Sequence, residues 1–267
     1  MDNPHFPNKI IAIVNQKGGV GKTTTASNLA TALAAVNKKI LIIDLDPQGN
    51  ASTGFGIEID SRKKTIYEVL VNKHPINDVI IKTSIPNLDI ITSTVDLSAA
   101  ELELIDFPGR EFTLKFSIQK LKNIYDYIII DCPPSLGILT LNALVAAKSM
   151  LVPLQCEFFA LEGLSHLLKT ASLVQKKLNP NLVIEGVVLT MYDKRNKLTE
   201  LIENDVRKCL DKLVYETVIP RNVRISEAPS YGKPAIIYDL KCTGSLAYVH
   251  LAKEMLKREL ESEKIPA

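Results

Sequence analysis

The feature that most restricts this chain is the length and make-up of its apolar runs. IIAIVN (Ile10–Asn15), KILIID (Lys39–Asp44) and YIIID (Tyr127–Asp131) are only five or six residues long. They are too short for helices and lack the polar alternation of a strand with one wet face. Such runs read as strands buried on both sides, the signature of a parallel sheet. Leu88–Thr92, Ser149–Pro153, Ile184–Thr190 and Tyr215–Ile219 read the same way. Helical patterns fill the gaps at Thr23–Val36, Ala99–Ile105, Thr113–Ile124, Gly137–Ala147, Leu161–Lys177 and Leu198–Leu213, with a last helix from Leu246 to about Glu261. This alternation predicts an α/β fold, a mostly parallel sheet with helices on both faces. No internal repeat or linker divides the chain, so residues 1–267 are expected to form a single domain.

Composition narrows the classes. At 46% hydrophobic and 23% charged, the chain has the make-up of a globular protein. No apolar run approaches the ~20 residues of a membrane helix, and the polar start MDNPHFPNK does not read as a signal peptide. Cys132, Cys156, Cys209 and Cys242 form no C-x-x-C pair. That argues for a reducing, cytoplasmic setting and against a metal cage. The net charge of +2 means that any nucleic-acid contact must come from locally clustered basic groups.

The first chemical signature is QKGGVGKTT, Gln16–Thr24, between the first strand and the first helix. That context makes a phosphate-binding loop believable. Gly18, Gly19 and Gly21 let backbone N–H groups, including that of Val20, curl around phosphate oxygens. The helix adds its positive end. Lys22 is placed to reach the β- and γ-phosphates, Thr23 to offer a hydroxyl to Mg²⁺, and Thr24 to approach the α-phosphate. The loop departs from G-x-x-x-x-G-K-[S/T] in having Gln16 at the first glycine position and a second lysine, Lys17, after it. A second signature is Asp44-Leu45-Asp46, whose alternation puts both carboxylates on one side at a strand end, where open sheets bind ligands. The third is Asp131, which ends an apolar strand before Cys132-Pro133-Pro134. All three fit a P-loop ATPase that uses ATP and Mg²⁺.

KGGVGKTT, IIDLDPQGN and YIIIDCPPSLG together resemble the deviant-Walker-A ATPases that segregate DNA, the ParA/Soj family. VPLQCEFFALEGL (152–164) and IPRNVRISEAPSYGKP (219–234) strengthen the likeness, which runs from about residue 9 to 255. The resemblance implies that Lys17 crosses to the nucleotide of a partner subunit in an ATP-dependent homodimer. It implies that Lys22 contacts phosphates in its own subunit, Thr23 coordinates Mg²⁺, Asp46 orients the attacking water, and Asp44 and Asp131 serve the metal shell. Pro220 and Asn222 are expected beside the base, with Met191-Tyr192 nearby.

The same resemblance implies chromosome partition: a dimer that binds double-stranded DNA non-specifically and associates with the nucleoid. Hydrolysis, stimulated by a ParB/Spo0J-type centromere-binding protein, releases that DNA. Arg195 and Arg224 occupy the arginine positions tied to DNA, with Arg221 and Lys233 as neighbours. From Asp193 to Lys241 there are ten basic and eight acidic residues, so charge count alone does not decide it. Acidic groups at Glu101, Glu103 and Asp106 offer a docking face for the partner's basic amino terminus. The rival reading is a MinD-like membrane ATPase or another cargo-positioning relative. The ending LAKEMLKRELESEKIPA balances basic and acidic groups and reads as a docked helix, with no membrane partner.

Overall fold

A computed structural model describes residues 9–121 and 124–263. The polar amino-terminal stretch before residue 9, and residues 122–123 within the expected Thr113–Ile124 helix, lie outside the described residues. Seven strands form one sheet: β1 Lys9–Ile13, β2 Ile40–Asp44, β3 Ile80–Lys82, β4 Leu88–Ile91, β5 Tyr127–Asp131, β6 Ser149–Gln155 and β7 Val183–Thr190. Their order is β3-β4-β2-β5-β1-β6-β7, with only β3 antiparallel to its neighbour.

The apolar runs become strands because both sheet faces are covered. Along β2, Ile40 and Ile42 point into one cluster with Leu29 and Leu33 of the first helix, Lys22–Ala35. Leu41 and Ile43 point into the other, with Leu139 and Leu144 of the helix Ile138–Ala146. All four β2 isoleucine and leucine side chains are fully buried. Each such burial stabilises by roughly 1.5–3 kcal/mol. The carboxyl-terminal helix, Thr243–Glu263, docks against the first helix through Tyr248, Leu251, Ala252 and Met255. Tyr248 and Thr25 share a hydroxyl–hydroxyl bond of 3.2 Å. As far as Glu263 the ending is therefore a docked helix, and among the described residues no helix is long and apolar enough to cross a membrane.

Parallel pairing sets the level of the strand ends. Asp131 pairs in register with Asp44 on one side and with Ile13 on the other. β1, β2 and β5 thus end together, and the loop after Ile13 starts where the two aspartates stop.

One expected strand is absent. Tyr215–Ile219 touches the sheet only at its margins: Val214 bridges Val187, and Pro220 bridges Tyr192. The backbone N–H groups of Glu216 and Thr217 instead donate to the Glu254 carboxylate at 2.8 and 2.9 Å. A side chain from the last helix has replaced a ladder partner. The short edge strand β3 and the helices Asn50–Gly54, Ile66–Leu70, Val223–Glu227 and Ala235–Tyr238 were not foreseen. Four- and five-residue helices carry too little periodicity to be seen in sequence.

Candidate functional site

Gly21 caps the first helix at φ 87°, a left-handed conformation that glycine adopts without steric cost. No side chain caps that helix start and no acidic residue sits in its first turn. Its leading N–H groups and positive dipole end are left for an external anion. Gly18 and Gly19 are exposed, and a Cβ at either would meet no atom within 4 Å. The loop is thus open to solvent over its middle and fixed at both ends. Asn15 donates to Pro153 O at 2.7 Å and accepts from Lys17 N at 3.0 Å. Thr190 donates to Val20 O at 2.8 Å.

The two loop lysines occupy opposite environments. Lys22 is 7% exposed and donates to Lys17 O at 3.0 Å. Burial lowers its pKa, partly offset by the charges of Asp131 and Asp46. The Lys17 side chain is half exposed on the rim, where its ammonium pairs with Glu157 in the turn before the helix Ala160–Lys177.

Below the loop, three carboxylates converge at the strand ends. Asp44 is fully buried and accepts from Ser52 N at 2.8 Å and Ser52 Oγ at 2.6 Å. Burial pushes its carboxyl up to about 6 against those hydrogen bonds. Asp46 is nearly buried, and its Oδ1 accepts from Gln48 N at 3.0 Å. Asp131 is fully buried, and neither oxygen has a partner in hydrogen-bond geometry. Burial raises its pKa well above the usual carboxylate range and Asp44 pushes the same way; the neighbouring Thr23 hydroxyl and Lys22 pull against them.

A buried, unpartnered carboxylate is costly unless something completes it. The oxygen-only set of the Thr23 hydroxyl and the aspartates suits a hard divalent cation that keeps several waters. Among the described residues no three His, Cys, Asp or Glu side chains form a metal cage by themselves. The residues therefore fit a cation carried in with a phosphate ligand. Cys132, beside Asp131, is buried, and burial drives its thiol pKa up, which leaves it unreactive.

A cleft of about 390 Å³ opens beside Gly21 and Thr24, lined by Thr190, Met191, Pro220 and Asn222. Its walls suit a flat apolar group attached to the phosphates. Pro220, Asn222 and Met191 thus line one cleft beside the loop, whereas Tyr192 lines a different one. The basic residues divide. Arg195 and Arg221 share that second cleft, of about 580 Å³. Arg224, on the helix Val223–Glu227, pairs with Glu227 at 3.0 Å and Asp239 at 3.6 Å. Lys233 lines a small recess with Thr23, Thr24, Asn28 and Ile225, the last from the helix that carries Arg224. Asn15, Ser52, Glu157 and Thr190 were missed in the sequence. Their contacts span 8 to 170 positions, except for the local Asn15–Lys17 bond. No spacing rule could have found them.

Comparison with known proteins agrees with this geometry. The profile of a family described as an AAA domain matches residues 8–184. The chain is 53% identical to the chromosome partitioning protein ParA of Caulobacter vibrioides, over 96% of this chain and 97% of that one. It is 54% identical to the sporulation initiation inhibitor protein Soj of Bacillus subtilis, covering 92% and 98% of the two chains. Its fold is similar to a crystal structure of cobyrinic acid a,c-diamide synthase from Mycobacterium smegmatis with bound ADP and magnesium. That match has a TM-score of 0.84 and 35% identity, over 98% of this chain and 99% of that one.

Proposed function

This chain belongs to the ParA/Soj family of ATPases with a deviant Walker-A loop, and from that premise we propose that it is an ATP-driven switch for partitioning chromosomal DNA. ATP occupies the glycine loop and the cleft beside it, with its phosphates on the uncapped helix start and its base toward Pro220 and Asn222. Backbone N–H groups from Gly18 to Gly21 and the Thr23 and Thr24 region cradle the phosphates. Lys22, buried beneath the loop, gives up its bond to Lys17 O for the terminal phosphates. Bound at Thr23 with Asp44 and Asp131 behind it, magnesium would supply charge neutralisation for the transferring phosphoryl group. Asp46 holds the attacking water in line.

The single observation that carries this reading is the contrast between the two lysines of one loop. A lysine needed only for its own subunit's nucleotide belongs inside, as Lys22 does. Lys17 stands on the rim, where it can reach the phosphates of a second copy. Two triphosphates facing each other concentrate negative charge, and a lysine donated from each side neutralises it. Only the ATP state then closes the homodimer. The closed dimer binds double-stranded DNA without sequence preference through the basic edge around Arg195, Arg221 and Arg224. Two subunits double the number of phosphate contacts, and salt-sensitive affinity rises steeply with that number. Hydrolysis opens the dimer and frees the DNA, which places the protein on the nucleoid in its ATP state. A ParB/Spo0J-type partner accelerates this step. The acidic surface at Glu101, Glu103 and Asp106 is its docking face; Glu101 lies on the rim of a cleft of about 730 Å³ that Leu136 and Gly137 also line.

The test is Lys17→Ala, followed by light scattering on a sizing column with a non-hydrolysable ATP analogue. Nucleotide should still bind while the dimer is lost. A variant that dimerises like the wild type would refute the crossing lysine.

A further inference from the structure

Arg195 is 89% exposed, yet it is not a free cation. Its guanidinium grips Asp193 as a fork, with Nε donating at 2.9 Å and Nη2 at 2.7 Å, and its own backbone N–H donates to the same carboxylate at 3.0 Å. Only two positions separate the pair. The contact therefore forms from local turn geometry and costs little chain entropy to hold. A fork closed on a carboxylate has the same geometry as one closed on a phosphate.

The surroundings give this pair a function. Asp193 and Arg195 line the cleft of about 580 Å³ between Pro220-Arg221 and the carboxyl-terminal helix. Lys194, Arg221 and His250 also line it, over an apolar floor of Val218 and Leu246. Among the described residues lining this cleft, Asp193 is the only carboxylate. Arg195 and, more weakly, Arg221 hold its pKa down at about 2, so it stays ionised at any physiological pH. One fixed negative charge thus sits in a basic cleft, on the arginine that an incoming anion would use.

We propose that this cleft is a seat for a DNA backbone phosphate and that Asp193 is its gate, a carboxylate that occupies Arg195 until a phosphate displaces it. The proposal rests on the DNA-binding reading above and adds what limits that binding. Every phosphate contact at Arg195 has to replace an existing ion pair. Arg224 is held in the same way by Glu227 and Asp239. An exposed pair of this kind weakens the competing contact by up to about fivefold per site. In a dimer, two gates multiply to as much as about 25-fold. Removing the gate therefore changes the affinity of the two-subunit form more than that of a single subunit.

The experiment measures binding of the full-length protein to random-sequence duplex DNA across a salt series, with a non-hydrolysable ATP analogue and with ADP. Wild type is compared with Asp193→Asn, Asp193→Ser and Arg195→Ala. Both Asp193 variants should tighten binding severalfold in the ATP-analogue state and raise detectable binding in ADP. Salt dependence should steepen, because the freed guanidinium releases additional counterions; a change that merely loosened the loop would not steepen it. Wild-type binding that is unchanged or weakened in both Asp193 variants overturns the gate and makes Asp193 a residue that orients Arg195. DNA binding seen only in the Asp193 variants supports the gate. Failure of wild type and variants alike to bind DNA overturns the gate together with the DNA-binding reading.

Discussion

The strand ends of β1, β2 and β5 and the edge beyond β7 both carry charge, and they treat it in opposite ways. At the strand ends the charges are buried and incompletely satisfied: Asp131 has no hydrogen-bond partner, and Lys22 rests on a backbone carbonyl. At the edge they are exposed and neutralised locally, Arg195 by Asp193 and Arg224 by Glu227. The first arrangement stores a demand that a ligand must meet. The second stores a competition that a ligand must win. Deep sites give large effects on single substitution and solvated ones give small, salt-dependent effects.

The sharpest break in this contrast is Lys22→Ala. Removing this buried loop cation should lower hydrolysis by about a hundredfold or more. It should leave the fold intact, as followed by phosphate release and by circular dichroism. An edge-sized effect there would erase the distinction.

Next in size is Gly186→Ala, which tests the seam between the sheet and the edge. Gly186 sits at φ 156° in a register shift between β6 and β7, and a Cβ there would lie 2.6 Å from Tyr215 and 2.8 Å from Leu213 O. The variant should lose roughly 2–3 kcal/mol of stability by urea denaturation.

Glu254→Gln probes the same seam through charge. Burial works to raise the pKa of Glu254, but hydrogen bonds from Thr217 and Glu216 and the charge of Arg258 outweigh it and hold the group below the ordinary value of 4.5. A depressed carboxyl contributes its stability above the unfolded pKa and loses it as pH falls through the folded one. Wild type should therefore exceed the variant by about 1 kcal/mol at neutral pH. That margin should vanish on acidification below 4.5, in denaturant midpoints taken at several pH values.

Arg224→Ala should give the smallest change. Affinity for DNA should fall a few-fold and equally for all sequences, and the salt slope should drop by about one per lost phosphate contact. A sequence-dependent loss would mean that Arg224 reads bases.

What could be read in the chain follows from the range of each interaction. KGGVGKTT needs only neighbours in sequence: a strand, a turn with glycines, a helix start. Asp44, Asp46 and Asp131 were legible because a parallel sheet brings strand ends to one level, so a carboxylate at the end of an apolar run has a predictable address. Tyr215–Ile219 misled because its composition suits a strand, yet only its ends, Tyr215 and Ile219, donate to β7, while the N–H groups of Glu216 and Thr217 donate to Glu254, 38 and 37 positions away.

The amino-acid sequence by itself determined that this protein is a doubly covered α/β sheet with a phosphate loop at its centre. Local propensity and short-range pattern are enough to specify those elements. Only the tertiary structure decided that Lys22 is buried while Lys17 stands on the rim, that Asp131 is left without a partner, and that Arg195 is held by its neighbour at the mouth of a cleft. Burial and charge pairing depend on which distant surfaces meet, and packing alone sets that.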